Sequence, residues 1–177
     1  MEAITASGAS SLLTRLFQYK AWANDAFLTE FRAQSTAISE ADRHLAIRLL
    51  NHAYVVDRIF AAHLVGKAHA YTGTNTPETP TLDTLHQTVA ESDRWYLDYI
   101  GSISPEQLSE EIAFDFTDGA KGRMTREEML MHVALHAGYH RGQVGRILPQ
   151  LTSAPPQDTF TTYLHKFEPD RRRRDDH

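Results

Sequence analysis

The segment MLMHVALHAGYHRGQVGRI, residues 129–147, decides the fold class. Steps of four and three through it select Met129, Val133, His136, His140, Gln143 and Ile147, the spacing of one face of an α-helix. Thr125 followed by Glu128 forms a capping-box signature at its start, and Pro149 stands where the helix must stop. The inward seam of this helix is apolar except for two imidazoles and one amide. His136 and His140 are four residues apart, so their rings stand on one face, close enough to reach a single ion.

The preceding segments repeat the helical period. Ser39, with Asp42 in the first turn, caps a helix that runs to about Gly66, with the seam Leu45, Leu49, His52, Val56, Ile59 and His63. His52 interrupts this stripe as His136 and His140 interrupt theirs. Before it, Ser11 to Phe31 places Leu12, Leu16, Tyr19, Ala23, Phe27 and Phe31 on one face, with Arg15, Lys20 and Glu30 available to the polar side. A further helix starts near Thr81 and carries Leu82, Leu85, Val89, Ser92, Tyr96 and Tyr99 before Gly101 to Pro105 end it.

The connections carry their own signals. Gly73, Asn75, Pro77 and Pro80 amid threonines predict a loop crossing between the second and third helices rather than a tight turn. Ile112, Phe114 and Phe116 alternate before Asp118-Gly119, which predicts a short hairpin or structured loop ahead of the fourth helix. Phe160, Tyr163 and Leu164 predict a short closing helix. The expected architecture is all-α: a four-helix bundle with a long crossover connection between helices two and three. Residues 1–168 form the single domain of this reading, and 169–177 a charged, disordered tail.

Composition narrows the chemistry. The 177 residues are 41% hydrophobic and 23% charged, enough for one core without cross-links. Zero cysteines exclude disulfides, thiolate-held metals and a thiol nucleophile from the protein itself. A formal charge of −5 argues against a general nucleic-acid surface, and the run Arg171 to Arg174 is balanced by Asp175 and Asp176. With no signal-peptide pattern at Met1 to Ser11 and no apolar run of spanning length, the expectation is a cytoplasmic protein without a membrane contact.

One inward histidine is more often a hydrogen-bonded core residue than a ligand. Three in two seams are different, because each buried imidazole has two nitrogens to satisfy and one shared ion can serve them all. His52, His136 and His140 are therefore the expected metal ligands. His132, one turn before His136, is the competing ligand, although the seam prefers Val133. His63 falls near the end of its helix, and His44, His69, His86 and His165 fall at helix ends, on polar faces or in the tail.

The same residues carry a family resemblance. Tyr19-Lys20-Ala21-Trp22-Ala23-Asn24, Leu50-Asn51-His52 with Asp57, and His136-Ala137-Gly138-Tyr139-His140-Arg141-Gly142-Gln143 are similar to motifs of the DinB family, and the likeness covers nearly the whole chain. Tyr139 departs from the many relatives that have a further histidine there. The resemblance implies a three-histidine metal site at His52, His136 and His140, and activities that use low-molecular-weight thiols in S-transfer or isomerisation.

The implied chemistry is a metal-activated water or thiol acting on an electrophilic small molecule, as an S-transferase, isomerase or hydrolase. Zinc or nickel is the expected ion, with iron or copper as alternatives. Gln143 is a candidate supporting donor and Arg141 a candidate anion contact; a cross-bundle hydrogen bond and a surface cation are their plain alternatives. Trp22, Phe27, Trp95, Tyr96 and Tyr99 are read as core. A homodimer is expected. The rival reading is a non-catalytic metal-binding stress-response or interaction protein.

Overall fold

The computed structural model describes residues 6–148 and 158–172. Residues 1–5, 149–157 and 173–177 lie outside the described residues, among them Pro149 and the end of the charged tail. The long helices are α1 (Ala6–Gln34), α2 (Glu40–Leu64), α3 (Leu82–Ser102) and α4 (Arg126–Ile147). The strands β1 (Glu111–Asp115) and β2 (Lys121–Thr125) precede α4, and the short helices α5 (Phe160–Phe167) and α6 (Pro169–Arg172) follow it.

The helix starts follow the capping chemistry of the sequence. Ser39 accepts from the Asp42 amide, Thr81 from the Thr84 amide, and Thr125 from the Glu128 amide. Glu128 returns a bond to the Thr125 amide at 2.7 Å and completes the capping box. Gly66, at φ 64°, ends α2 where a side chain would be strained.

The chain is mostly helical, but the all-α expectation is corrected by a small antiparallel sheet. β1 and β2 pair from Glu111 opposite Thr125 to Asp115 opposite Lys121. The two-residue alternation of Ile112 and Phe114 suits a pleated strand, and Gly119 at φ 87° makes the turn.

Helix α1 packs mainly along α3 and also against α4, while α2 packs mainly along α4 and also against α3. Two apolar clusters result. One contains Leu13, Phe17, Phe60, Tyr96, Leu130 and Val133; the other contains Leu28, Phe31, Leu50, Leu85, Val144 and Leu148.

Between these clusters runs a buried polar layer. The interior stripe of α1 is Leu13, Phe17, Lys20, Asn24, Leu28 and Phe31, so Lys20 is interior at 1% exposure rather than on the polar side. Leu12, expected inside, is exposed, and so is Leu45 on α2. The buried arc of α2 instead includes Ala46, Leu50, Ala53 and Asp57. The reason is that Lys20 finds two carboxylates in the interior, and their attraction turns α1 away from its purely apolar register.

Lys20 Nζ donates to Asp57 Oδ2 at 2.7 Å and to Asp93 Oδ1 at 2.6 Å. Asn24 Nδ2 donates to Asp93 Oδ2 at 2.8 Å, and Arg141 Nη1 donates to Asn24 Oδ1 at 2.6 Å. Tyr96 donates its hydroxyl to the backbone carbonyl of Asp57 at 2.5 Å. Four helices thus contribute to one hydrogen-bonded layer. Burial opposes the charge on Lys20, but Asp57 and Asp93 outweigh it and raise its pKa above the ordinary value.

At the C-terminal end, α5 lays Tyr163 on Trp22, with ring centres 5.8 Å apart. Residues 169–172, assigned by the sequence to a disordered tail, form the turn α6, where Arg171 and Arg172 both reach Glu168. No helix among the described residues is long and apolar enough to cross a membrane.

Removing the ammonium leaves two buried carboxylates facing each other. Lys20→Met is expected to lower unfolding free energy by about 3–5 kcal/mol in urea denaturation. Asp57→Asn, which leaves the Lys20–Asp93 pair intact, should destabilise less. Burial pushes the Asp57 carboxyl from 3.8 up to about 6, with Lys20 pulling the other way. The folded state therefore binds this proton more tightly than the unfolded chain. The resulting stabilisation is complete below the unfolded value and is lost as pH rises through about 6. Denaturation midpoints measured across that window should fall with pH in the parent and fall less in Asp57→Asn.

Candidate metal centre

His52, on α2, meets His136 and His140, on α4, at the level of the polar layer. One ligand nitrogen from each lies within 4.8 Å of the others. His136 Nε2 and His140 Nε2 are 3.0 Å apart, and the His52 ring centre is 5.1 and 4.7 Å from theirs. Two nitrogens bound to one ion at ~2.0–2.1 Å lie at most ~4.2 Å apart, so small ring rotations would close all three on a common centre. The three residues selected from the sequence are brought together as a group that could hold a metal ion.

The histidine seam is the margin of the buried arc, not its centre. His140 is buried, whereas His52 and His136 are partly exposed. The group therefore lies at an edge that is partly open to solvent.

The loop after α2 fixes the first imidazole. His52 Nδ1 pairs with the Thr74 carbonyl at 2.7 Å. A carbonyl only accepts, so Nδ1 carries the proton and Nε2 keeps its lone pair for the site. Asn51 and Asn75 hold the loop in place. Asn51 donates to Asn75 and to Thr76 Oγ1, while Asn75 donates to the Arg48 carbonyl at 2.9 Å.

The imidazoles on α4 are in the neutral form that ligation requires. Burial, followed by the neighbouring His140, His132 and His52 and the Lys20 charge, lowers the pKa of His136 to about 3. Burial and His52 also lower that of His140, while Gln143 opposes them. Two neutral rings at 3.0 Å can share one proton between their Nε2 atoms, and a cation placed there would satisfy both lone pairs.

On the far side of the rings, His136 Nδ1 and His140 Nδ1 are buried without a hydrogen-bond partner, as is Gln143 Oε1. Gln143 is near enough to favour protonation of His140, yet the two do not close a hydrogen bond. Its amide nitrogen donates instead to the Tyr139 hydroxyl at 3.0 Å. Tyr139, at the departure from the family motif, is largely exposed and packs its ring edgewise on His140.

Arg141 is neither a surface cation nor open to an external anion. It is 2% exposed, and Asp158 already pairs with it at 2.7 Å. Asp158 also accepts from the Tyr19 hydroxyl at 2.6 Å, tying the segment before α5 to α1 and α4. His132 stacks on His136 with ring centres 5.2 Å apart and stays outside the ligand group. His63 packs against His69 and Phe114, while His86 meets Asp25.

The sequence reading missed the supports of the site. Thr74 acts through its backbone carbonyl, which no side-chain pattern reveals. Asn51, adjacent to His52 and 2% exposed, left a usable signal: a polar residue in an otherwise apolar arc needs a partner. Asp93 and Asp158 were also missed, because each is explained only by a cation on another segment.

No curated protein and no solved structure matches the chain. A sequence model of the DinB family matches residues 9–172, a span that contains the three histidines, the Lys20 layer and the loop that orients His52. The match covers nearly the whole sequence, and the chain belongs to the DinB family.

Proposed function

We propose that His52, His136 and His140 hold one divalent ion, zinc or nickel before iron or copper, and that the protein is a metal-dependent enzyme acting on an electrophilic small molecule. The nucleophile of this reading is a low-molecular-weight thiol or water, giving S-transfer, isomerisation or hydrolysis. The observation that carries the proposal is the convergence of three ring nitrogens within 4.8 Å at a partly exposed edge. A bound ion would supply Lewis acidity and lower the pKa of an attached thiol or water towards neutrality.

The chain's own groups have separable tasks in this scheme. Thr74 sets the tautomer and direction of His52, as a carbonyl partner does for many ligating histidines. Gln143 would take the His140 Nδ1 proton through its side-chain oxygen, which needs a partner. Partial exposure of His52 and His136 leaves an approach for substrate. Because the sequence has no cysteine, a reacting thiol must come from a cosubstrate.

The packing of α1 to α4 supports a four-helix bundle with residues 65–81 as its crossover. Met131, Leu135 and Tyr139 form an exposed stripe at four-residue steps on α4, which supports a homodimer in this reading. A cytoplasmic setting without nucleic-acid or membrane partners suits the absence of cysteine and the acidic charge.

Protein purified without chelator is expected to contain close to one equivalent of divalent metal by elemental analysis. His52→Ala and His136→Ala should lose it while retaining helical circular dichroism. A folded parent that binds neither zinc nor nickel would reject the reading. Asn51→Ala, which frees the loop carrying Thr74, should weaken metal affinity about 10–100-fold in competition with a chromogenic chelator. Metal-dependent consumption of a thiol in the presence of an electrophile tests the catalytic part; metal binding without turnover across thiol and hydrolytic substrates would favour a non-catalytic role.

A further inference from the structure

The end of α2 and the loop after it bring a second pair of imidazoles together, about three helical turns along α2 from His52. His63 lies in the last turn of the helix, and Gly66 at φ 64° turns the chain back on the helix end. The Gly66 amide donates to the His63 carbonyl at 3.0 Å and the Lys67 amide to the Ala62 carbonyl at 2.9 Å, which fixes that turn. His69 then stands edgewise to His63, with ring centres 5.3 Å apart.

Each ring carries a nitrogen with nothing to bond. His63 Nε2 and His69 Nδ1 are buried without a hydrogen-bond partner. The neighbours of His63 are apolar rings: Phe114 and Phe60 lie with their centres 4.9 and 6.1 Å from its own. Unsatisfied polar atoms are costly to bury, and one cation shared by the two rings would serve both lone pairs.

The ring positions suit that role. An imidazole bound to zinc at ~2.0–2.1 Å has its centre ~3.2 Å from the ion, so two rings on one tetrahedral ion have centres roughly 5.2 Å apart. Rotation of a histidine about its Cβ–Cγ bond swings the nitrogens while leaving the ring centre nearly in place, and this torsion is soft. The pair can therefore close on an ion without moving the backbone.

The surroundings also favour a cation. Burial and then the neighbouring His69 hold the pKa of His63 below its ordinary value, with Asp115 opposing, so the ring is neutral and keeps a lone pair near neutral pH. Asp115, on β1, adds a negative charge to the field at His63, and the carbonyl end of α2 adds the negative pole of the helix.

We infer that His63 and His69 form a second divalent-cation site, for a borderline ion such as zinc or copper, which clamps the start of the 65–81 loop to the end of α2. Imidazole nitrogen suits these ions, and the chain has no thiolate to compete for them. With only two protein ligands, water completes the sphere, and the site fills after the three-histidine centre. It does not depend on the metal reading of that centre.

Zinc titration of full-length, untagged protein, followed by proton–nitrogen correlation of the imidazole rings, tests the site. The His63 and His69 ring nitrogens are expected to shift together with a single midpoint. His69→Ala, a change in a loop, should abolish the zinc-dependent shift at His63 and weaken this equivalent at least about tenfold, a loss no smaller than that from removing a ligand's outer support. Helical circular dichroism and the response of His52, His136 and His140 should be unchanged. His63→Gln should abolish the shift at His69 in the same way, so the test does not rest on one variant. Zinc that shifts neither ring, or one without the other, would overturn the assignment. So would an equivalent of undiminished affinity in both variants, because the ion would then sit on other histidines. A parent in which only His63 and His69 respond would reject the three-histidine reading and leave this one standing.

Discussion

The Lys20 ammonium, held between the Asp57 and Asp93 carboxylates, couples α1, α2 and α3 through buried charge. Arg141 extends that layer to α4 through Asn24 and fixes the segment before α5 through Asp158. An apolar interior tolerates many near-equivalent rotations of a helix, but an interior ammonium does not. It must face its carboxylates, and that requirement selects one register for each helix. The three histidines occupy the same level, one residue from the buried positions Ala53, Ala137 and Arg141. Their convergence follows from the register that the charged layer imposes.

Placement at the margin of the interior also explains how the site combines order with access. His140 is buried and His136 is held neutral, while His52 is directed by a loop rather than by the core. The loop is itself anchored by the Asn51–Asn75 pair, so a backbone carbonyl can act as a rigid support. The polar layer and the oriented imidazoles thus follow one another from the interior outwards.

Much of this organisation was legible in the sequence. The four helices, their caps and the choice of His52, His136 and His140 as inward-facing candidates follow from local rules: a three-four period, a Ser or Thr cap, and an i, i+4 spacing; their meeting depends on α2 packing along α4. The hairpin was legible from Phe114 and Gly119. What local rules misjudged was polarity in context. Lys20 was placed outside because lysine is normally solvated, and Leu45 inside because leucine normally is not; a pair of carboxylates distant in sequence reverses the first expectation. Arg141 was open to two readings for the same reason, since Asp158 lies beyond the end of its helix. The Thr74 carbonyl leaves no side-chain signature at all. The close approach of Phe114 to Gly122 appears only once the strands pair.

X-ray absorption at the metal edge, recorded on zinc-loaded protein, addresses the central claim most directly. Three imidazole nitrogens from His52, His136 and His140 should appear as a nitrogen shell at ~2.0–2.1 Å with imidazole multiple scattering. A fourth light-atom ligand would complete the sphere. A shell of oxygen donors without imidazole scattering would contradict the account, because the ion would then lie away from the three histidines.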